Sequence, residues 1–103
     1  MGDLTETDIG LSIPKFFIII YYIGIENNLK MVSIYKKMSI TYAHLCKLIK
    51  VMEKKGWVKI IKHGRTLEVR LTDKGKKIFN SVMSFFKATG LNPGQYYKYK
   101  NEN

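Results

Sequence analysis

The side chains with the clearest chemical potential lie along the segment ITYAHLCKLIKVMEKKG, residues 40–56. Four apolar residues recur there at helical spacing: Leu45, Leu48, Ile49 and Met52. That spacing predicts a helix with one buried face. The opposite face is small or basic: Ala43, Lys47, Lys50 and Lys54. Such a face can bind anions through ion pairs and hydrogen bonds, and its first turn adds Thr41, Tyr42 and His44.

The sequence also marks the ends of this helix and the element that follows it. Thr41 can accept a hydrogen bond from an N–H of the first turn, and Gly56 ends the helix after two lysines that suit its negative end. Beyond Gly56 the apolar residues alternate with polar ones: Val58, Ile60, Leu67, Val69 and Leu71. This alternation predicts a two-stranded hairpin with Lys62-His63-Gly64-Arg65 near its tip. A helix with a basic outer face followed by a basic hairpin predicts a recognition helix and a wing.

The sequence does not favour catalytic or metal chemistry. His44, Cys46 and His63 are its only soft ligands, whereas structural zinc usually takes four ligands at close spacing. His44 and Cys46 stand two positions apart and therefore do not face each other on a helix. No carboxylate pair is placed for acid–base work, so we expect neither an enzyme nor a metal or cofactor. The single cysteine, Cys46, is expected to be a reduced small residue; the alternative is a redox sensor or an intersubunit disulfide.

The order of these motifs resembles the winged helix-turn-helix of the multiple-antibiotic-resistance regulator (MarR) family over roughly residues 29–79. That family's recognition helix ends in a Leu-Glu-Lys-Lys-Gly-like run, here Met52-Glu53-Lys54-Lys55-Gly56. Its wing is followed by Leu-Thr-x-x-Gly, here Leu71-Thr72-Asp73-Lys74-Gly75. The family's wing carries Asp-x-Arg, whereas this chain has His63-Gly64-Arg65. Arg65 thus keeps the position of the family's DNA-contacting arginine but lacks its acidic partner.

The charge of the 103-residue chain is strongly positive and unevenly distributed. The formal net charge is +10; residues 1–28 hold four acids against one lysine, a net charge of −3, which leaves +13 for the rest. This asymmetry favours a polyanionic partner, nucleic acid above all, over the alternative of a solubilising surface. Lys30, Lys36 and Lys37 precede the recognition helix and are interpreted either as phosphate contacts or as solvated charge.

An apolar segment precedes the motif. Within residues 11–26, residues 16–23 are apolar without interruption, well short of the roughly 20 that a membrane span needs. Ser12 is expected to cap this helix, with Pro14 in its first turn and with Gly24 and Asn27-Asn28 as stop signals. A helix that is apolar on every side must be covered on every side, which predicts a second subunit against one face. The alternative is a central helix in a monomeric core.

The remaining helices are also marked. Residues 29–38 predict a short strand or bend and then a helix that buries Val32, Ile34, Tyr35 and Met38. The last helix, residues 73–89, is expected to be capped by Thr72 and carries a broad apolar stripe. In the resembling family the terminal helices build the dimer. The expected dimer interface is therefore formed by Phe16, Phe17, Ile19, Ile20, Ile23, Val82, Phe85 and Phe86.

Together these elements predict a mainly α fold with a small β-hairpin (α+β), a winged helix-turn-helix whose terminal helices form a dimer. The expected organisation is a frayed N-terminus at 1–10 and a single domain at 11–90. Within it, residues 31–55 form the helix-turn-helix and residues 57–71 the wing. The tail at 91–103 interleaves tyrosines with lysines; it is expected to be loose or to pack on the subunit, and alternatively to stack on nucleic acid.

The predicted function is a homodimeric, sequence-specific regulator of transcription that binds double-stranded DNA with its recognition helix in the major groove and its wing at the minor groove. The alternatives are an architectural or packaging protein with little sequence preference and a basic protein-interaction module. The expected DNA-binding residues are Thr41, Tyr42, Ala43, His44, Lys47, Lys50, Lys54, Lys62, His63 and Arg65.

Further expectations concern the setting and the partners of the protein. No residue identifies a pocket for a small-molecule effector, and no membrane partner is expected. The location is expected to be cytoplasmic, in the host cell if the protein is viral. The composition is compatible with a thermophile, and small winged helices of this length resemble those of archaea and their viruses.

Overall fold

The computed structural model describes residues 13–93, which form four helices and three strands. Ser12, the acidic N-terminus and most of the C-terminal tail lie outside the described residues. The elements run in the order α1 (Lys15–Glu26), β1 (Leu29–Lys30), α2 (Met31–Lys37), α3 (Tyr42–Lys54), β2 (Val58–His63), β3 (Thr66–Leu71) and α4 (Asp73–Thr89). The predicted fold class, mainly α with a small β element, is confirmed.

The sheet has three antiparallel strands in the order β1-β3-β2. Strands β2 and β3 form the predicted hairpin, in register from Val58 opposite Leu71 to His63 opposite Thr66. Strand β1 adds a short third strand, with Leu29 opposite Val69. Because β1 runs directly into α2, this pairing ties the start of the helix-turn-helix to the wing.

Helix α1 differs from its prediction at its start and at Gly24, whereas its end agrees with the stop expected at Asn27-Asn28. It begins at Lys15, so the expectation that Pro14 lies in its first turn was wrong; Pro14 is the N-cap residue and makes no side-chain cap hydrogen bond. The helix runs through Gly24 and ends at Asn27, whose φ of 67° is left-handed. Gly24 is therefore not a stop signal. Instead, the ring of Phe79 occupies the space that a Cβ at Gly24 would need.

The hydrophobic core lies between the helices and the inner face of the sheet. Helix α1 packs mainly against α4 and β3, and its Ile18, Ile19 and Ile20 are fully buried within the single chain. The chain thus covers much of α1 by itself. The apolar character of that helix does not by itself require a second subunit.

In α2 the burial pattern differs from the prediction by one residue. Val32 was expected to be buried but is 44% exposed, while Met31 is 3% exposed. Met31, Ile34 and Met38 are separated by three and four residues, so they share one helical face and Val32 falls outside it. Val32 is therefore left exposed at the start of α2.

The junction of wing and α4 explains the Leu-Thr-x-x-Gly pattern. The Thr72 hydroxyl accepts a hydrogen bond from the Gly75 N–H at 3.0 Å, which confirms Thr72 as the N-cap. The Thr72 N–H donates to the Trp57 carbonyl at 3.1 Å, and the Thr72 hydroxyl lies at the same distance from that oxygen. Gly75 lies directly against the same carbonyl, in a space too small for a Cβ. Threonine and glycine together therefore fasten α4 to the base of the wing.

Among the described residues, none of the helices is both long enough and apolar enough to span a lipid bilayer.

Candidate nucleic-acid interface

Helix α3 is held firmly and presents one side to solvent. The Thr41 hydroxyl accepts a hydrogen bond from the His44 N–H at 3.1 Å, so the predicted N-cap is confirmed. Leu45, Ile49 and Met52 are buried in the core at the expected helical spacing. This packing fixes the rotation of the helix and therefore fixes which side chains face outward.

The outward side of α3 carries the residues expected at a DNA interface. All of them are exposed: Thr41, Tyr42, Ala43, His44, Lys47, Lys50 and Lys54. Within residues 13–93, the side chains of Lys47, Lys50 and Lys54 make no hydrogen bond or ion pair. The structure thus brings these residues together as one basic surface whose cations are not used internally.

Tyr42 is the most strongly positioned residue of this surface. Its ring packs edge-on against Tyr35 of α2, with centroids 5.4 Å apart and planes at 81°. Its side chain also lies near the half-buried Cys46, one turn along the helix. Burial and then Cys46 raise the pKa of Tyr42 above its usual 10.0, so the hydroxyl remains a hydrogen-bond donor at neutral pH. Cys46 was compared with His44 in the sequence, and its pairing with Tyr42 was not predicted. The i, i+4 spacing of Tyr42 and Cys46 could have indicated it.

The wing forms a tight hairpin whose tip is exposed. Gly64 takes a left-handed φ of 61°, and the Thr66 hydroxyl donates to the His63 carbonyl at 2.8 Å across the turn. Lys62, His63 and Arg65 are exposed around this turn, as expected. Arg65 makes no hydrogen bond or ion pair with any other residue in the range 13–93.

Glu68 organises the outer face of the wing and was not predicted as a functional residue. One oxygen, Oε1, lies 2.8 Å from His63 Nε2, and the other, Oε2, accepts from Arg70 Nε at 3.2 Å. Hydrogen bonds from Arg70 and then His63 hold the pKa of Glu68 below its usual value. The wing therefore does contain a carboxylate, but it engages His63 and Arg70 rather than Arg65.

The residues expected at a dimer interface fall into two groups. Ile19, Ile20, Ile23, Val82 and Phe86 are buried within the single chain. The other three, Phe16, Phe17 and Phe85, are half-buried at the outer side of α1 and α4. The first group forms the core of one protomer here, and only the second is accessible to another protein without rearrangement.

Metal binding finds no support in the described part of the chain. Among residues 13–93 there is no cluster of three or more histidine, cysteine, aspartate or glutamate side chains that could hold a metal ion. Cys46, His44 and His63 are not gathered into one site.

A capped helix with an exposed basic face, preceded by a short helix and followed by a hairpin, defines a winged helix-turn-helix. A family model described as a winged helix DNA-binding domain matches residues 15–89, and the chain belongs to this family. No curated protein matches the sequence.

Solved structures agree with this assignment. AF1382 from Archaeoglobus fulgidus is 28% identical, covers 76% of this chain and 87% of its own, and superposes with a TM-score of 0.66. A MarR family protein from Bacillus stearothermophilus is 21% identical over 82% of this chain, with a TM-score of 0.66. A mutant MarR from E. coli complexed with operator DNA is 20% identical over 77% of this chain, with a TM-score of 0.63. This chain spans only 59% of each of the latter two. The chain is thus a winged helix DNA-binding domain, and its fold resembles that of MarR family proteins.

Proposed function

We propose that this protein is a transcription regulator that recognises a specific double-stranded DNA sequence through α3. The observation that carries this proposal is the surface of α3, whose cations face solvent without internal partners while the opposite side is locked in the core. The operator complex of the structurally similar MarR supports duplex DNA as the partner.

The first turns of α3 supply the groups that distinguish bases. A recognition helix contacts base edges with its N-terminal residues, which here are Tyr42, Ala43 and His44, followed by Lys47. The Lys47 ammonium can donate to the O6 and N7 acceptors of guanine, and the Ala43 methyl can contact the methyl group of thymine. Tyr42 is held by its neighbours, so its hydroxyl can approach a base or phosphate with little loss of side-chain entropy.

The later turns and the wing supply affinity. Lys50 and Lys54 lie further along the same face, where contacts with phosphates are expected. Lys62, His63 and Arg65 extend from the wing toward the adjacent minor groove or its phosphates. These contacts orient the helix on the duplex and make binding strongly dependent on salt.

An architectural or packaging role is the second candidate, because the net charge of +10 alone supports binding to any duplex. Selection of bound duplexes from a random pool separates the two functions. A regulator should prefer its selected site over a scrambled duplex by about 10³-fold or more at one salt concentration. Equal affinity for both duplexes would instead establish the architectural role.

We further propose a homodimer in which half-buried aromatic rings of α1 and α4 meet those of a second copy. Phe17 and Phe85 lie edge to face, with centroids 5.4 Å apart and planes at 90°, and Phe16 continues this strip towards Trp57 at 5.2 Å. Aromatic residues are enriched in the cores of interfaces. Two copies would present two α3 helices to two half-sites about one helical turn apart.

Light scattering tests this dimer. The wild type should have twice the mass of the 12.0 kDa chain, and a Phe17→Glu, Phe85→Glu variant should have the single mass with an unchanged helical circular dichroism spectrum. Lys59→Glu, on the outer face of β2, is the control and should remain dimeric. A wild-type mass of one chain at micromolar concentration would contradict the proposal.

A further inference from the structure

A groove separates the recognition helix from the wing. Lys30 and Val32 line it from the start of α2, Tyr42 from the first turn of α3, and Arg65 and Thr66 from the wing. Its volume is about 170 Å³, below the roughly 300–1,000 Å³ of sites that enclose small organic ligands. The groove suits a small group that enters from outside, such as part of a longer polymer.

The cationic side chains that line this groove favour the binding of an anion. Among residues 13–93, the side chains of Lys30 and Arg65 make no hydrogen bond or ion pair, although the Lys30 backbone is paired in the sheet. Glu68, the residue opposite Lys30 in the sheet, is already engaged by Arg70 and His63. The positive charges of Lys30 and Arg65 therefore repel each other across the groove. An anion bound between them would be attracted to both.

The uncharged groups narrow the choice of anion. Tyr42 lines the groove and carries a hydroxyl that can donate a hydrogen bond, and Val32 adds an aliphatic surface that is 44% exposed. The Thr66 hydroxyl is already donating to the His63 carbonyl. A charged oxygen beside an apolar ring is the chemistry of a phosphodiester next to its deoxyribose.

We propose that this groove binds a phosphate of the DNA backbone, held by Lys30, Arg65 and the Tyr42 hydroxyl, with Val32 against the adjoining sugar. In a duplex, one sugar–phosphate strand separates the major groove from the minor groove. When α3 lies in the major groove and the wing lies at the minor groove, that sugar–phosphate strand must pass between α3 and the wing. The groove described above lies at this position. This inference rests on the proposed DNA-binding function. Arg65 then contacts a backbone phosphate, and Lys30 becomes a DNA-binding residue.

The salt dependence of binding tests the site. Fluorescence anisotropy with a short labelled duplex of random sequence gives the slope of log affinity against log salt. Lys30→Gln and Arg65→Gln should each flatten that slope by about 0.9, the value for one lost phosphate contact. Lys59→Gln on the outer face of β2 is the matched control and should leave the slope unchanged. A wild-type slope in Lys30→Gln would overturn the proposal, even if Arg65→Gln flattened it.

A second pair of variants tests the wall of the groove without removing a cation. Val32→Asp should weaken binding by about tenfold or more, because it places a carboxylate beside the phosphate. Ile25→Asp, at a similarly exposed position at the end of α1, should not, and circular dichroism should show both variants folded. Equal losses in the two variants would overturn the site. If the wild type binds duplex DNA and all groove variants bind it with the same affinity and salt slope, only the phosphate site is refuted. If the wild type binds no duplex DNA, the proposed function is refuted as well.

Discussion

Replacing Gly75 with alanine should detach α4 from the base of the wing. A Cβ at this position would collide with the carbonyl oxygen of Trp57 and stand 3.1 Å from its carbonyl carbon and 3.2 Å from Leu71 Cδ2. The obstacle is backbone and cannot turn aside as a side chain can. Either α4 must shift or the strand that begins at Val58 must move.

The cost can be worked from the contacts involved. Overpacking of this kind costs about 1–3 kcal/mol. A shift of α4 also weakens the hydrogen bond from the Thr72 N–H to the Trp57 carbonyl, which is worth about 0.5–1.5 kcal/mol. The better helix propensity of alanine returns up to about 1 kcal/mol. The net loss of unfolding free energy for Gly75→Ala should therefore be about 1–3 kcal/mol.

Urea denaturation followed by circular dichroism measures this loss, and the melting temperature should fall by at least about 4 °C. Gly24→Ala is the comparison, because its Cβ would meet the half-buried ring of Phe79, a side chain that can shift without moving a strand of the sheet. Gly24→Ala should therefore cost less than Gly75→Ala. Wild-type stability of Gly75→Ala, or the reverse order of the two variants, would refute the explanation given for the Leu-Thr-x-x-Gly pattern.

Three other variants probe α3 and the wing. Thr41→Ala removes the N-cap of α3 and should lower the unfolding free energy by about 1 kcal/mol in urea denaturation; an unchanged value would show that the cap adds nothing. The Lys50→Ala, Lys54→Ala double variant should flatten the log–log salt slope of duplex binding by about 1.8; an unchanged slope would exclude both lysines from the interface. The pKa of Glu68 is lowered in the fold, so its ionised form should stabilise the protein above pH 4.5 and cease to do so as the pH falls through the lowered value. Glu68→Gln should lose less stability than wild type across that acid range, measured by thermal unfolding.

The parts of the fold that were predictable are those fixed by local chemistry. Thr41 and Thr72 cap their helices because a threonine hydroxyl can reach an N–H of the first turn wherever that turn forms. Gly56 and Gly64 take positive φ angles after the end of a helix and at a turn, where glycine has no steric cost. The basic face of α3 followed from helical period alone, since the apolar residues could point in only one direction.

The parts that were not predictable depend on packing between distant segments. Ile19 and Ile20 were assigned to a second subunit because composition cannot show that α4 and β3 of the same chain cover them. Gly24 resembles a stop signal in the sequence, but the Phe79 ring, 55 residues later, makes it a packing position. Val32 was expected to be buried, but Met31 is buried instead. The rotation of α2 about its axis decides which of these two adjacent residues faces the core.

The candidate site shows the same division. The residues of α3 and of the wing tip that the sequence assigns to DNA binding are exposed, and their contact with DNA stays a prediction. The contacts of Glu68 were not predicted because its partners, His63 and Arg70, are set by strand register rather than by a motif. The groove between Lys30 and Arg65 was missed because it joins residues 35 positions apart through the β1–β3 pairing.

The central claim is that α3 reads bases and does not merely supply charge. The most direct test is to select bound duplexes from a random pool with the wild type and with Lys47→Ala, at the same salt concentration. Base reading predicts an inverted-repeat site for the wild type, and for the variant a changed or lost preference at one base pair in each half-site. A wild-type selection that yields no preferred sequence would contradict the claim, and the same selected sequence with uniformly weaker binding in Lys47→Ala would limit Lys47 to its charge.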